Sequence, residues 1–424
     1  MRRVASLRDA RLTRTDHAIF DLGVHALHRH DTPCNRARFL VLEPYVTRMQ
    51  EPATVGILDA IPGEAEVQAL KRLPFRLAKA GYVDAFTVYG TYNNRVSYWS
   101  EVADHLPERL RVLFRLFLLG EKVPRSSLLE IVPEPETAAL ERFSVLKREG
   151  EQVHTRSLVL LPVSGYLVMA DRPSVDPVVY FGDDSAALAA HLFPYANGDC
   201  LDLCTGPGVQ ALLASGRGRR VVAVEINPVA AAYAHLNVVM NDVEDRVEVR
   251  MGDLYQATPH EQFHFISANP PLLPFPEDLP YPFVGHGGAD GLNITRSIIA
   301  GLPLHLRPDG LCQIIGTCLG DSNGPLCESE LDRIARDLDL SITMTIPSGV
   351  PLNTESPMFT GLAWSCATAA LLDYQVVLGR LKEHLRSRGA ETLYLFFLTI
   401  TRDQAWCGLH VTRHYRAHRG FWFI

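Results

Sequence analysis

From Asp199 onward the chain alternates short apolar runs with helical patterns, and that alternation restricts it to few architectures. Asp199–Cys204, Arg219–Glu225, Arg246–Met251, Phe263–Ala268, Gly310–Gly316, Leu340–Ile346 and Glu391–Ile400 are seven strand candidates. Helical stretches separate most of them. Such alternation predicts an open α/β sheet, mostly parallel, with helices on both faces. Sheets of this kind bind ligands beyond the carboxyl ends of their strands, near the point where strand order reverses. Chemistry-bearing residues are therefore sought where strands end.

The preceding part reads differently. Pro107–Gly120 places apolar residues at three- and four-residue spacing and stops at glycine, a helix with its C-cap. Ser126–Val132 and Glu136–Gly150 follow as helices, then Thr155–Val163 and Gly165–Asp171 as strands joined by Ser164 and Gly165. Three helices and a hairpin resemble a winged-helix module. Such a module can bind DNA, pack or dimerise; its third helix carries no basic stripe, so packing is expected, with a homodimer as one state. Residues 16–100 are mixed, and Tyr89-Gly90-Thr91-Tyr92-Asn93-Asn94 reads as a turn between strands. The expected division is an N-terminal α+β region over 1–105, the winged-helix-like module over 106–178, and the α/β domain over 179–424.

Charge and cysteine usage narrow the function classes. Lysine and arginine number 41 against 48 acids, a net charge of −7. Proteins that grip a nucleic-acid backbone usually carry a basic surplus, so nucleic acid is disfavoured as a partner. No apolar run reaches the roughly 18 residues a membrane span needs. The arginines near the start are followed by no apolar stretch, which argues against a secretory signal. Eight cysteines without paired C-x-x-C spacing suggest reduced thiols and a cytoplasmic setting. His25, His28 and His30, and His410, His414 and His418, lack carboxylate or cysteine partners nearby in sequence, so no metal is expected.

Four motifs fall at strand ends. Asp202-Leu203-Cys204-Thr205-Gly206-Pro207-Gly208 closes the first strand in a glycine turn that a helix follows at once. Glycine at 206 and 208 lets the backbone approach a ligand closely. Gly206, Gly208 and Ala211 also satisfy the dinucleotide pattern, so a dehydrogenase is an open alternative at this point. Glu225, followed by Ile226 and Asn227, ends the second strand, where a carboxylate can accept both ribose hydroxyls. Asp253, with Leu254, lies just past the third, where an acid can accept from the adenine amine. Either acid can equally cap a helix. Three successive strand ends supplying what one nucleoside needs favour a nucleoside ligand.

The fourth motif, Asn269-Pro270-Pro271-Leu272, ends the strand Phe263–Ala268. Here the chain resembles the class I methyltransferases with an N/D-P-P-Y/F/W motif, similar to the release-factor glutamine and ribosomal-RNA guanine N-methyltransferases. Gly287-Gly288-Ala289-Asp290-Gly291-Leu292 matches that family's G-x-D-G-L stretch, and Gly182-Asp183-Asp184-Ser185 sits where the family has a polar lead-in turn. Pro133-Glu134-Pro135-Glu136-Thr137 looks alike but lies too far upstream. The resemblance covers residues 180–320 well and the first 100 hardly at all. It implies a seven-stranded Rossmann-like methyltransferase sheet and S-adenosylmethionine as cofactor, held by Asp202, Cys204, Thr205, Gly206, Gly208, Glu225, Ile226, Asn227, Asp253, Leu254 and Asn269.

The chemistry explains the fourth motif. A planar nitrogen has a delocalised lone pair and attacks a methyl sulfonium poorly. The side-chain carbonyl of Asn269 and the backbone carbonyl of Pro270 can each accept one N–H and fix the nitrogen, while two prolines keep the backbone extended. Catalysis then comes from positioning and charge placement. Leu272 departs from the family's aromatic residue, and stacking on a nucleobase is worth about 1–3 kcal/mol. Its loss favours a small-molecule substrate, such as an amino-acid derivative or natural-product intermediate, with Phe275, Tyr281, Phe283 and Asp290 as candidate contacts. Pro351–Gly361 reads as a long loop that covers the substrate. The alternatives are a protein-glutamine or RNA-base N-methyltransferase, and a nucleoside-sensing regulator with a DNA-binding winged helix.

Overall fold

A computed structural model of the chain describes residues 63–90, 96–174, 177–194, 197–402 and 406–413. His25, His28, His30, His414, His418 and residues 91–94 lie outside them.

The N-terminal part begins with α1 (Glu64–Lys79), α2 (Tyr82–Gly90) and α3 (Val96–His105). The described portion of residues 1–105 is thus helical, and Tyr89 and Gly90 end a helix that leads toward another helix instead of joining strands. Next come α4 (Glu108–Phe117), β1 (Val123–Pro124), α5 (Arg125–Leu129), α6 (Glu134–Arg142), β2 (Lys147–Glu149) and β3 (Gln152–His154). β1, β3 and β2 form a small antiparallel sheet. The hairpin that follows the three helices is therefore Lys147–His154, whose first strand takes the last residues of what the sequence suggested was the third helix. Gly150, at φ 64°, makes its turn.

The run expected to supply that hairpin forms a separate two-stranded sheet, β4 (Leu158–Val163) and β5 (Tyr166–Asp171), turning at Ser164 and Gly165, both at positive φ. Asn237 donates to the Met169 carbonyl and accepts from its N–H, which fastens this hairpin to the α/β domain.

That domain runs α7 (Asp183–His191), β6 (Asp199–Leu203), α8 (Val209–Ser215), β7 (Arg220–Glu225), α9 (Pro228–Met240), β8 (Val247–Met251) and β9 (Phe263–Ala268). It continues with α10 (Asn293–His305), β10 (Leu306–Gly320), α11 (Glu328–Asp337), β11 (Ser341–Pro351), α12 (Pro357–Ala370), α13 (Tyr374–Ser387), β12 (Thr392–Thr401) and β13 (Gly408–Arg413). All seven expected strands are present, in one mixed sheet of eight with the order β13-β11-β12-β10-β9-β6-β7-β8. The eighth, β13, pairs parallel with β11 at the edge and carries His410. β12 alone runs against the rest, antiparallel to both β10 and β11.

Strand order reverses between β6 and β9. The chain moves outward through β7 and β8, then returns to lay β9 on the other side of β6. β6, β7 and β9 are buried over most of their length, as strands covered on both faces must be. Residues 351–361 do not form a long irregular loop. Ser356 caps α12 through its hydroxyl, Pro357 starts the helix, and α12 with α13 makes a helical pair.

Candidate active site

The register of the four parallel strands β9, β6, β7 and β8 brings the motifs to one end of the sheet. Leu203 pairs with Val224 on one side and Ala268 on the other, and Glu225 pairs with Met251. The residues just past those rungs are Cys204, Asn269 and Gly252-Asp253. Residues from Cys204 to Asn269, far apart in the chain, therefore meet along one line.

The glycine loop is built tightly. Cys204, Gly206 and Gly208 all have positive φ, at 57°, 55° and 88°. A Cβ at Gly208 would lie 3.5 Å from the Ala234 Cβ, so the turn sits directly on α9. Thr205 donates from its backbone to the Val224 carbonyl at 3.1 Å. The side chains beneath hold the loop as well: Thr205 Oγ1 donates to Asp202 Oδ2 at 2.5 Å and Ser267 Oγ to Oδ1 at 2.8 Å. Both oxygens of Asp202 are thus engaged by the protein, and the residue is 1% exposed. It supports the loop from below. Burial pushes its carboxyl up to about 7.

Glu225 faces the loop from β7. Its Oε2 accepts from the Gly206 N–H and its Oε1 from the Asn227 N–H, each at 2.8 Å. Burial raises its pKa, and these backbone donors oppose the rise. Asn227 caps α9 by accepting from Val229 at 2.9 Å, and Ile226 between them is half-buried. Asp253 and Leu254 open a single 3-10 turn after β8, Leu254 at φ 50°.

At the end of β9, Asn269 Nδ2 donates to Asp184 Oδ2 at 2.9 Å and to Ser185 Oγ at 3.0 Å. Its Oδ1 is buried and has no partner among the described residues. An amide carbonyl held out of contact with water and unpaired is an acceptor waiting for a donor. The Asn227 Nδ2 is likewise buried without a partner. Positive-φ glycines, a held carboxylate at the neighbouring strand end and unpaired buried amide groups fit a nucleoside cofactor with a planar N–H donor beside it.

Other expected contacts fall elsewhere. Phe275 and Tyr281 are core residues, 0% and 5% exposed, and stack on each other with centroids 3.7 Å apart. The chain after the motif folds back on itself, Leu273 bonding to Gly285 and Gly287, so these rings pack inward under α12 and α13. Leu272 is buried too, and its carbonyl accepts from Thr317 Oγ1 at 2.5 Å. Phe283 is half-buried. Asp290 is bound by Arg296 at 2.5 Å, and Arg296 also reaches Glu330 at 2.7 Å, so this acid serves the fold. Pro270 is buried and Pro271 half-buried. Asp184 is the residue that sequence reasoning passed over: the polar turn was recognised, but not that its second aspartate would touch Asn269.

Residues 180–318 match the methyltransferase small domain. A ribosomal protein uL3 glutamine methyltransferase of Bradyrhizobium diazoefficiens is 36% identical over 148 residues, 32% of this chain and 46% of that protein. The protein of the same name from Bordetella pertussis is 34% identical over 26% of this chain and 41% of its own length. A release factor glutamine methyltransferase of Cereibacter sphaeroides is 36% identical over 37% of this chain and 57% of its own. The matches span about half the length of these relatives. They support S-adenosylmethionine as the cofactor over a dinucleotide, and they overturn the expected small-molecule substrate, since these relatives are named for methylating glutamine in proteins.

Proposed function

We propose that this chain, which carries a methyltransferase small domain over residues 180–318, is an S-adenosylmethionine-dependent N-methyltransferase whose acceptor is the side-chain amide of a glutamine in a protein. The observation that carries the reading is the unpaired, buried Oδ1 of Asn269. A glutamine amide offers two N–H groups in one plane. Asn269 Oδ1 accepts one and the Pro270 carbonyl accepts the other, which leaves the nitrogen fixed with one face open. The cofactor, when bound, supplies an electrophilic methyl carbon. Glu225 and the Gly206–Gly208 turn would hold its nucleoside part, and Asp253 beyond β8 would offer an acceptor to its base. Asp202, through Thr205 and Ser267, keeps that turn in shape. The proton leaves the nitrogen after attack, so no dedicated base is required.

The leucine at the fourth position of the motif favours an amide over a nucleobase. Leu272 replaces the family's aromatic residue, and Phe275 and Tyr281 are committed to the core. A base flipped into such a site would forgo stacking worth about 1–3 kcal/mol.

Residues 106–178 are read as a winged-helix-like packing module between an N-terminal region (1–105) and the catalytic domain (179–424). Support comes from α6, the helix that would enter DNA. It packs on α1, and its buried Glu136 pairs with Arg72 and Arg76 at 2.9 and 3.3 Å. Its exposed side chains are Glu134, Pro135, Ala138 and Arg142, a poor surface for phosphate. A DNA-binding regulator is therefore the weaker reading. A cytoplasmic setting agrees with the absence of disulfides among the described cysteines.

The test is incubation of the protein with methyl-labelled S-adenosylmethionine and purified ribosomes or release factor, followed by peptide mass spectrometry. Label on a glutamine side chain is expected. Label on RNA or on small molecules alone would refute the acceptor.

A further inference from the structure

Asn269 is useful only in one of two orientations. An amide side chain can be flipped by half a turn with little change in shape, exchanging an acceptor for a donor. For the proposed reaction its oxygen must face the acceptor nitrogen, and something must decide that.

We propose that Asp184, at the start of α7, is a positioning residue that fixes which end of the Asn269 amide faces the methyl acceptor. The inference rests on the glutamine-methylation reading above. Asp184 is 5% exposed and lies 2.9 Å from Asn269 Nδ2 through its Oδ2. An ionised carboxylate only accepts, so it takes the NH2 end. The reverse orientation would set two oxygens against each other in a buried site. Ser185 Oγ, at 3.0 Å, takes the second amide hydrogen, and it also accepts from the Gly182 N–H. With both hydrogens engaged, Oδ1 points the other way, where it is buried and unpaired.

Asp184 is itself held. The Tyr180 hydroxyl donates to its Oδ1 at 2.7 Å. Gly182 leaves room for this, because a Cβ there would lie 1.8 Å from the Tyr180 oxygen. Three residues of the polar turn therefore act on one amide across the strand-order switch.

The arrangement is sensitive to protonation. The groups facing Asp184 are the Tyr180 hydroxyl, the Asn269 amide and the Ser185 backbone, with Asp183 adjacent in the chain and acting on Tyr180. Burial raises the Asp184 pKa, while the Tyr180 and Asn269 hydrogen bonds lower it. Protonated Asp184 can donate to an amide oxygen, so acidification permits the flipped orientation and turns the NH2 group toward the acceptor.

The full chain with S-adenosylhomocysteine bound provides the test, by following the side-chain NH2 resonances of Asn269 in nitrogen-15 NMR. The signal is assigned by its loss in Asn269→Ala. In the wild type the resonances should move in one step as the pH falls, and NH2 hydrogen exchange, taken relative to an exposed amide at the same pH, should quicken by about tenfold across that step as a charged hydrogen bond is lost. Asp184→Asn should remove the step. Tyr180→Phe, which takes one donor from the carboxylate, should move the midpoint upward. A wild-type signal that does not titrate, a step that survives in Asp184→Asn, or an unmoved midpoint in Tyr180→Phe would each overturn the proposal; the last holds even if Asp184→Asn fails to fold. Failure of the functional reading looks different: the wild type would label no glutamine, whatever the Asn269 amide does.

Discussion

The backbone N–H of Gly206 and the carboxylate of Glu225 are joined by a 2.8 Å hydrogen bond, so the glycine turn is tied to the neighbouring strand end through a side chain. The acid thus shapes the loop as well as facing a ligand. Glu225→Ala should weaken S-adenosylhomocysteine binding by about tenfold or more, since a hydrogen-bonded charged group is worth about 1.5–3 kcal/mol. Calorimetry checks this, and an unchanged affinity would remove Glu225 from the binding site.

Asn269 separates binding from chemistry. Asn269→Ala removes the unpaired acceptor without disturbing Asp202, Glu225 or the glycine turn. Cofactor affinity should stay within a few-fold of wild type, while methyl transfer to glutamine falls by about 100-fold or more, as for loss of one transition-state donor or acceptor. Equal losses in both would mean that the residue serves the fold.

Asp202 gives a pH signature. Its carboxyl is raised to about 7 by burial, against about 3.9 in an unfolded chain. The folded protein therefore keeps a proton that the unfolded chain releases between those values. Stability of the cofactor-free protein should fall as pH rises from about 4 to 7, and level off above. Asp184 and Glu225 are raised as well and push in the same direction, so the measurement is the difference in Tm between wild type and Asp202→Asn across that range. A difference that grows with falling pH in favour of the variant would contradict the assignment.

Gly291 explains the second shared stretch. Its φ is 87°, and a Cβ there would lie 2.6 Å from the Leu272 carbonyl oxygen and 2.8 Å from that of Thr317. Both obstacles are backbone, so neither can turn aside. Gly291→Ala should cost more than the ~1–2 kcal/mol of a left-handed non-glycine residue alone. The expected result is a clear drop in Tm together with loss of activity, because the strain falls on the Asn269–Leu272 turn. A variant with wild-type Tm would show that the turn is looser than drawn.

Much of the domain was legible because its signals are local. Buried strands such as Val221–Val224 read as apolar runs, and the glycine turn announces itself by composition. β2 and β3 did not, since Lys147-Arg148-Glu149 and Gln152-Val153-His154 are too short and polar to show alternation. β13 is a short edge strand with only two apolar side chains, Leu409 and Val411, and was equally silent. The site divides the same way. Residues at strand ends were found by position, whereas Phe275 and Tyr281 were misplaced because a loop that folds back has no period to reveal which side chains it hides. Asp184 lies 85 residues from Asn269, and no local pattern links them.

The reversed strand β12 also bears on how the chain reaches this state. It fills the gap between β10 and β11, yet it is synthesised after both, beyond the whole α12–α13 pair. Until it arrives, two long strands present open edges to any other chain nearby. Pairing over such a sequence separation is slow to form. A nascent or truncated chain ending before Thr392 is thus the species most exposed to aggregation. Its soluble yield would depend on how quickly one late segment finds a slot that has been prepared for it on both sides.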